Sequence, residues 1–323
     1  MAGVVEAIGV ISGLLGIVQF GINNFQTEPP PGSTIKFAIG LDSSSGLTDA
    51  GGDLPDVRIW NLYGDFVGMK ADPGTVGNGD VGQVYVSHEN QGVYSLMSAN
   101  DDAICIAWAS TTWSAERGGN KYAVSGDFGR ECGGTWYHSG MFPYDNSQYQ
   151  PDCFWIDANG DQPNTGFQVR WPSYAGVKFN ESNRDAKQFC NNIDFGLRTE
   201  NDPHSINFWT KRDSVPVTPR RVAWAASRLV VSDSESHSAK KLCESSTSMG
   251  PDFVHTDEEL FCEMESKTLY HFCTGTKSNC FDLDSHTLYP KNGNAGVQRA
   301  RVSGSTDSPY AAVVDWRKNN NKA

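Results

Sequence analysis

The sequence predicts a mainly β protein: an antiparallel β-sandwich or jelly-roll-like body, preceded by a hydrophobic α-helix and followed by a small, disulfide-stapled α-helical region. Three observations carry this prediction. Short runs alternate large apolar residues with small or polar ones, the period of a strand with one buried face. Those runs are separated by stretches rich in Gly, Asp, Asn and Pro. The chain of 323 residues has 33 Gly and 9 Trp but only 20% charged residues, a balance closer to turn-rich β proteins than to helical bundles. Finally, its eight cysteines fall into two groups: Cys105, Cys132, Cys153 and Cys190, then Cys243, Cys262, Cys273 and Cys280.

Residues 1–25 form the first element. No proline interrupts Gly3 to Asn24, and no charge follows Glu6 in that stretch. On a helix, Val4, Ile8, Ile11, Leu14, Leu15, Val18 and Ile22 gather mostly on one side. Gly9, Gly13 and Gly16 gather on the other, where the G-x-x-x-G spacing of Gly9 and Gly13 lets a second backbone approach closely. Each glycine weakens the helix by about 1 kcal/mol relative to alanine, so it needs packing to persist. A cleaved secretory signal would carry Lys or Arg before the apolar run and a small-x-small site after it, and neither is present. A membrane anchor would carry basic flanks, also missing. The expectation is a retained helix buried against the body or a neighbouring subunit.

Residues 26–33 ("QTEPPPGS") read as a stiff polyproline linker. The sandwich is expected over 34–231. "TIKFAIGL" reads as a half-buried strand, and "DVRIWNL", "GQVYVSH", "AICIAWAS", "TGFQVRW" and "SINFWTK" read as further strands. Ile104, Ile106 and Trp108 alternate with Cys105, Ala107 and Ala109, which predicts a central strand covered on both faces. A last strand is expected near Arg221–Val231. Beyond it, over 232–323, Thr256 and Glu259 form a T-x-x-E capping box ahead of Leu260, Phe261 and Met264, which predicts helix. Four cysteines staple that region.

The net charge of −12 repels phosphate backbones and argues against nucleic-acid binding. No C-x-x-C occurs, so the spacing of common zinc sites is missing. Eight cysteines without that spacing predict disulfides and an extracellular or cell-surface location, with a reduced cytoplasmic protein as the alternative.

Few motifs carry chemistry. Gly77–Gly82 ("GNGDVG") matches G-x-G-x-x-G, but a strand-like run follows it where a dinucleotide fold needs a helix, so it reads as a hairpin loop. There is no H-E-x-x-H, no Walker loop and no G-x-S-x-G. Asp157, Asn159 and Asp161 have the alternating oxygens of a calcium loop. Gln162 and Gln168 stand where an EF-hand needs Gly and Glu, leaving an Asx turn or a different oxygen-lined Ca²⁺ site. Trp136, Tyr137 and His138, with Asp127 and Arg130, offer aromatic faces and planar polar groups of the kind that hold sugars. Lys211–Arg212 and Arg220–Arg221 are dibasic pairs, and Asn180 heads a glycosylation sequon.

"AICIAWAS", "GDFGRECGGTWYHS", "CFWIDANGDQPNTGFQVRWP" and "LCESSTSMGPDFVHTDEELFCEMESKTLYHFC" resemble uncharacterised proteins of filamentous ascomycete fungi. The resemblance covers roughly 34–289. It implies a fungal source and brings no activity, cofactor or catalytic residue.

The functional expectation is a non-enzymatic extracellular or cell-surface structural or interaction protein. It would form a homo-oligomer or larger assembly through Ile8, Gly9, Ile11, Gly13, Leu14, Leu15, Gly16, Val18 and Ile22, with no cofactor required. One alternative is a lectin-like module binding glycans through the Trp136 region, with or without Ca²⁺. Another is a toxin-like protein whose first helix enters a membrane.

Overall fold

The computed structural model describes residues 30–40, 49–141, 150–175, 186–207, 223–275, 278–289 and 309–317. The helix expected over 1–25, the linker as far as residue 29, both dibasic pairs and the sequon lie outside the described residues. The chain divides into two compact units, one holding the described residues of 30–207 and the other those of 223–317.

The described residues of the first unit form thirteen strands: β1 (Gly32–Ile39), β2 (Gly52–Asp53), β3 (Asp56–Trp60), β4 (Phe66–Lys70), β5 (Thr75–Val76), β6 (Val81–Ser87), β7 (Tyr94–Ser98), β8 (Ile104–Trp113), β9 (Lys121–Ser125), β10 (Trp136–His138), β11 (Asp152–Ile156), β12 (Gly166–Arg170) and β13 (Phe195–Arg198). One antiparallel sheet has the order β10-β11-β8-β1-β6, with β9 also on β8. A second has the order β13-β12-β7-β3-β4, and β2 and β5 form a small ribbon.

The predicted central strand is β8. All ten of its residues are buried. It pairs with β1 along one edge, and with β11 and β9 along the other. β1 was expected to be half-buried, yet only Lys36 in it escapes full burial. Burial lowers the ammonium pKa of Lys36. Thr34 and Ala38, the small residues that alternate with Ile35 and Phe37, sit on the second covered face, which is why they read as exposed in an alternating pattern. Of "SINFWTK", residues 205–207 form no strand and the rest lies outside the described residues.

Aromatic rings join the two sheets. Phe154 of β11 meets Phe167 of β12 edge-on at 4.9 Å and Phe195 of β13 at 5.8 Å. Phe128, on the short helix α1 (Asp127–Glu131), packs on Tyr174 and Phe195. Such pairs add about 0.5–1.5 kcal/mol each beyond the area they bury. A sandwich with an aromatic interior is the result.

The described residues of the second unit form a seven-stranded mixed sheet, not the helical layer expected. Its strands are β14 (Arg228–Ser232), β15 (Asp252–His255), β16 (Leu260–Glu263), β17 (Thr268–Phe272), β18 (Cys280–Asp282), β19 (Thr287–Tyr289) and β20 (Ala312–Asp315), ordered β19-β18-β17-β16-β15-β14-β20. The only helices described in it are α2 (Ala223–Ala226) and α3 (Ala239–Glu244). β14, expected to close the sandwich, instead runs parallel to both β15 and β20.

The helical expectation over 232–323 failed for a specific reason. Thr256–Glu259 is a tight turn between β15 and β16, with Glu259 at φ 52°. Thr256 bonds through its N–H to Ser232 O at 2.9 Å, not into a helix of its own. Glu258 does cap a helix, but a different one: its Oε2 accepts from Ala239 N at 2.8 Å, while Ser238 Oγ accepts from Lys241 N at 3.0 Å. After the turn, Phe261 and Cys262 are buried on opposite faces of β16. The Phe261 ring stacks on Phe281 at 4.0 Å, within a core of Leu229, Val231, Val254 and Tyr310.

All eight cysteines are paired: Cys105–Cys153, Cys132–Cys190, Cys243–Cys262 and Cys273–Cys280. Each pair stays within one of the two sequence groups. Four closed disulfides are characteristic of an oxidising environment, in line with a secreted or surface protein.

Candidate functional site

The stretch from Gly126 to Ser139 folds around one guanidinium. Helix α1 lies directly on β11: a Cβ at Gly126 would sit 2.1 Å from Asp152 O, and one at Gly129 would sit 2.2 Å from Phe154 Cγ. Those two glycines bring Arg130 down among carboxylates. Its Nη1 donates to Asp127 Oδ1 at 2.9 Å and to Asp152 Oδ2, and its Nη2 donates to Glu131 Oε1 at 2.8 Å. His138 Nδ1 lies 2.6 Å from the other Asp152 oxygen. The guanidinium also stands 5.4 Å from the centre of the Trp136 ring. Burial by itself would lower the Arg130 pKa; the charges of Asp152, Asp127 and Glu131 outweigh it and hold the group above its ordinary value.

Of the five residues grouped from sequence, Asp127, Arg130, Trp136 and His138 lie in this network. The sequence reading missed Asp152, which sits fourteen positions beyond His138 and arrives only through the β10–β11 register. The proposed chemistry does not follow from the geometry. Trp136, Tyr137 and His138 are at most 1% exposed, so no ring face here is open to a sugar. The network is interior wiring that ties α1 to the two strands.

The calcium-like run also resolves. Asp157 Oδ2 accepts from Asp161 N at 2.8 Å, and Asn159 Oδ1 accepts from the same N–H at 3.0 Å. Asn159 Nδ2 donates to Asp101 Oδ1. Two of the three candidate oxygen groups therefore face the loop's own backbone, as in an Asx turn. Among the described residues, no three His, Cys, Asp or Glu side chains converge as a preformed metal cage.

A Ser–His pair emerges that sequence spacing could not show. His88 Nδ1 lies 2.5 Å from Asn90 O, an acceptor, so Nδ1 carries the proton and Nε2 accepts from Ser33 Oγ at 2.7 Å. Gly92 closes the space over both: a Cβ there would lie 3.0 Å from Ser33 Oγ and 3.3 Å from His88 Nε2. The pair pins the start of β1 to the turn after β6. Burial, and to a lesser degree Arg117, hold His88 below the usual histidine range against the opposing Asn90 hydrogen bond. The unfolded chain therefore binds the proton more readily. Stability linked to His88 is complete above the unfolded pKa of about 6.5 and is lost as pH falls through and below it. The urea midpoint is expected to drop between pH 7 and 5, and to drop less in His88→Gln.

No family model, curated protein or solved structure matches the chain.

The surface itself then points to a site, the β3–β4 hairpin. Leu62 is 54%, Tyr63 84%, Phe66 55% and Met69 39% exposed. The turn that carries them is held rigid by one side chain: Asn61 Oδ1 accepts from Tyr63 N at 2.8 Å and Asp65 N at 3.0 Å, and its Nδ2 donates to Asp65 Oδ2 at 2.9 Å. Gly64 turns the chain at φ 82°. Phe66 leans edge-on against Trp60 at 5.6 Å. β4 is an edge strand with one backbone side not paired in the sheet. A rigid, apolar edge is an open invitation to pairing unless something covers it. The sequence held a signal for it in "NLYGD", where two large residues occupy turn positions that polar residues usually fill.

Proposed function

We propose that this is a non-enzymatic extracellular or surface interaction protein that self-associates, with the β3–β4 hairpin of one copy receiving the apolar N-terminal segment of another. The exposed quartet of Leu62, Tyr63, Phe66 and Met69 carries the reading. Two further observations support it. The segment from Val4 to Ile22 is the most apolar stretch of the sequence and has the matching chemistry. Its point of attachment is also close to the quartet. Tyr85 Oη donates to Pro31 O at 2.6 Å, Gly32 pairs with Ser87, and Ser87 O lies 2.8 Å from where a Cβ on Gly68 of β4 would sit. The chain thus leaves the sandwich beside the strand that bears Phe66 and Met69.

Leu62, Phe66 and Met69 are already partly covered, so the four side chains gain less than about 1.5–3 kcal/mol each, at the low end of the entropic cost of association, about 4–15 kcal/mol. The quartet alone would hold a copy weakly, whereas the seven apolar residues of the segment add to it substantially. Light scattering on the full chain is expected to give an oligomer that dissociates on deletion of residues 1–25. Tyr63→Ser with Phe66→Ser should weaken it at least tenfold. An oligomeric mass unaffected by the deletion would overturn the reading. A mass lost on deletion but indifferent to the hairpin substitutions would keep self-association and remove the hairpin as its seat.

A further inference from the structure

Three loops of the first unit meet and are rich in aspartate. They are residues 49–53, which end in the short strand β2, 100–103 and 157–164. Cys105 N donates to Ala50 O at 3.0 Å, Ala158 N donates to Asn100 O at 3.2 Å, and Asn159 Nδ2 donates to Asp101 Oδ1 at 2.8 Å. Gly52 lies so close to Asp102 that a Cβ would stand 2.9 Å from the Asp102 Cβ. Asp49, Asp53, Asp101, Asp102, Asp157 and Asp161 are all on these loops, and none of the three contains Lys, Arg or His.

The floor of this group differs from its rim. Asp157 is fully buried, with Oδ2 held by Asp161 N and Gln162 N, while its Oδ1 is enclosed and meets no donor among the described residues. Asn164 closes the same loop by accepting from Asp157 N at 2.9 Å, and its side-chain Oδ1 is likewise buried with no donor among the described residues. Buried acceptors without partners are uncommon, and a carboxylate oxygen is the costliest kind. Asp102, by contrast, is exposed at the rim. Partial burial first, and then the charges of Asp53, Asp49, Asp157 and Asp101, raise its carboxyl pKa. The group is crowded with negative charge and short of donors.

We propose that these loops bind a divalent cation of the Ca²⁺ class, with Asp157 Oδ1 and Asn164 Oδ1 as the built-in oxygens and Asp102 and Asp53 turning in from the rim. The site goes beyond the self-association reading and does not depend on it. It also differs from the EF-hand-like trio, because Asn159 contributes no ligand. The donors are all oxygen, which suits a hard cation and not zinc. Rim ligands that must move in favour Ca²⁺, which tolerates irregular shells of six to eight oxygens, over Mg²⁺, which demands a near-ideal octahedron. A site assembled this way belongs with extracellular modules of roughly 10⁻⁴–10⁻³ M affinity.

The test is calorimetric titration and thermal melting of the full chain in chelator, in CaCl₂ up to about tenfold above that range, and in MgCl₂ and NaCl of matched ionic strength. Ca²⁺ is expected to raise the melting temperature by a few degrees, well beyond the salt controls. Asp102→Asn should melt higher than the parent in chelator, because a repelled charge is gone, and should lose at least tenfold in Ca²⁺ affinity. Asp157→Asn should abolish binding; should that variant fail to fold, Asp53→Asn with Asp102→Asn reports on the same site from half-buried Asp53 and exposed Asp102. No Ca²⁺ heat and no shift beyond the NaCl control would overturn the proposal. So would a response that Asp102→Asn and the rim double variant leave unchanged.

Discussion

Replacing Arg130 with leucine is expected to destabilise the first unit by about 3–5 kcal/mol, the usual result of removing one partner from a buried ion pair. The reason lies in what stays behind. The side chains of Asp127 and Asp152 are each 4% exposed and would face one another with no cation between them. Glu131 would lose both its hydrogen bonds from the guanidinium. Arg130→Lys should cost less than leucine but still be clearly measurable, since an ammonium supplies charge without a planar fork that can serve three carboxylates at once. Adding Asp127→Asn and Asp152→Asn to the leucine variant is expected to recover part of the loss. Urea unfolding of the four proteins at pH 7 checks this. Equal stability of the parent and Arg130→Leu would show that the network contributes nothing.

Converting Cys105 and Cys153 together to alanine should cost a similar amount, about 4 kcal/mol, on the loop-entropy model for a closure of this length. The bond spans a sequence separation of 48 and ties β8 to β11 in the interior. A Cβ on Gly40 would lie 2.6 Å from the Cys153 sulfur, so the surroundings are shaped to the bridge and leave little room to repack. By comparison, losing Cys273–Cys280, with a separation of 7, should cost less, because so short a loop gives up little freedom on closure. Thermal melts of the two double variants measure the difference. A larger loss at Cys273–Cys280 would contradict the entropic ranking.

The two parts of the chain were unequally legible from sequence, and the reason is physical. β8 announces itself because its large residues alternate while small residues fill the second covered face. The region around Thr256 was misread because T-x-x-E describes a first helical turn and a tight four-residue turn equally well. What separates them is whether Thr256 bonds forward or across to Ser232, a contact made from 24 residues away. At the Arg130 network, local spacing brought together Asp127, Arg130, Trp136 and His138. Asp152 was out of reach until register placed it opposite His138. The hairpin quartet left only a partial trace, Leu62 and Tyr63 in turn positions, because the exposure of Phe66 and Met69, unlike periodicity, cannot be read along a line. The acidic loops were half-visible: Asp157 was singled out, but Asn164 and Asp102 join it only after three loops are folded together.

The placement of β20 has a consequence for biosynthesis. β14 is laid down at Arg228–Ser232, yet one of its two flanking strands, Ala312–Asp315, is translated some eighty residues later. Until that stretch clears the ribosome, Leu229 to Val231 present an unfinished border to the solvent. Nascent or prematurely terminated chains are therefore the ones expected to require chaperone attention.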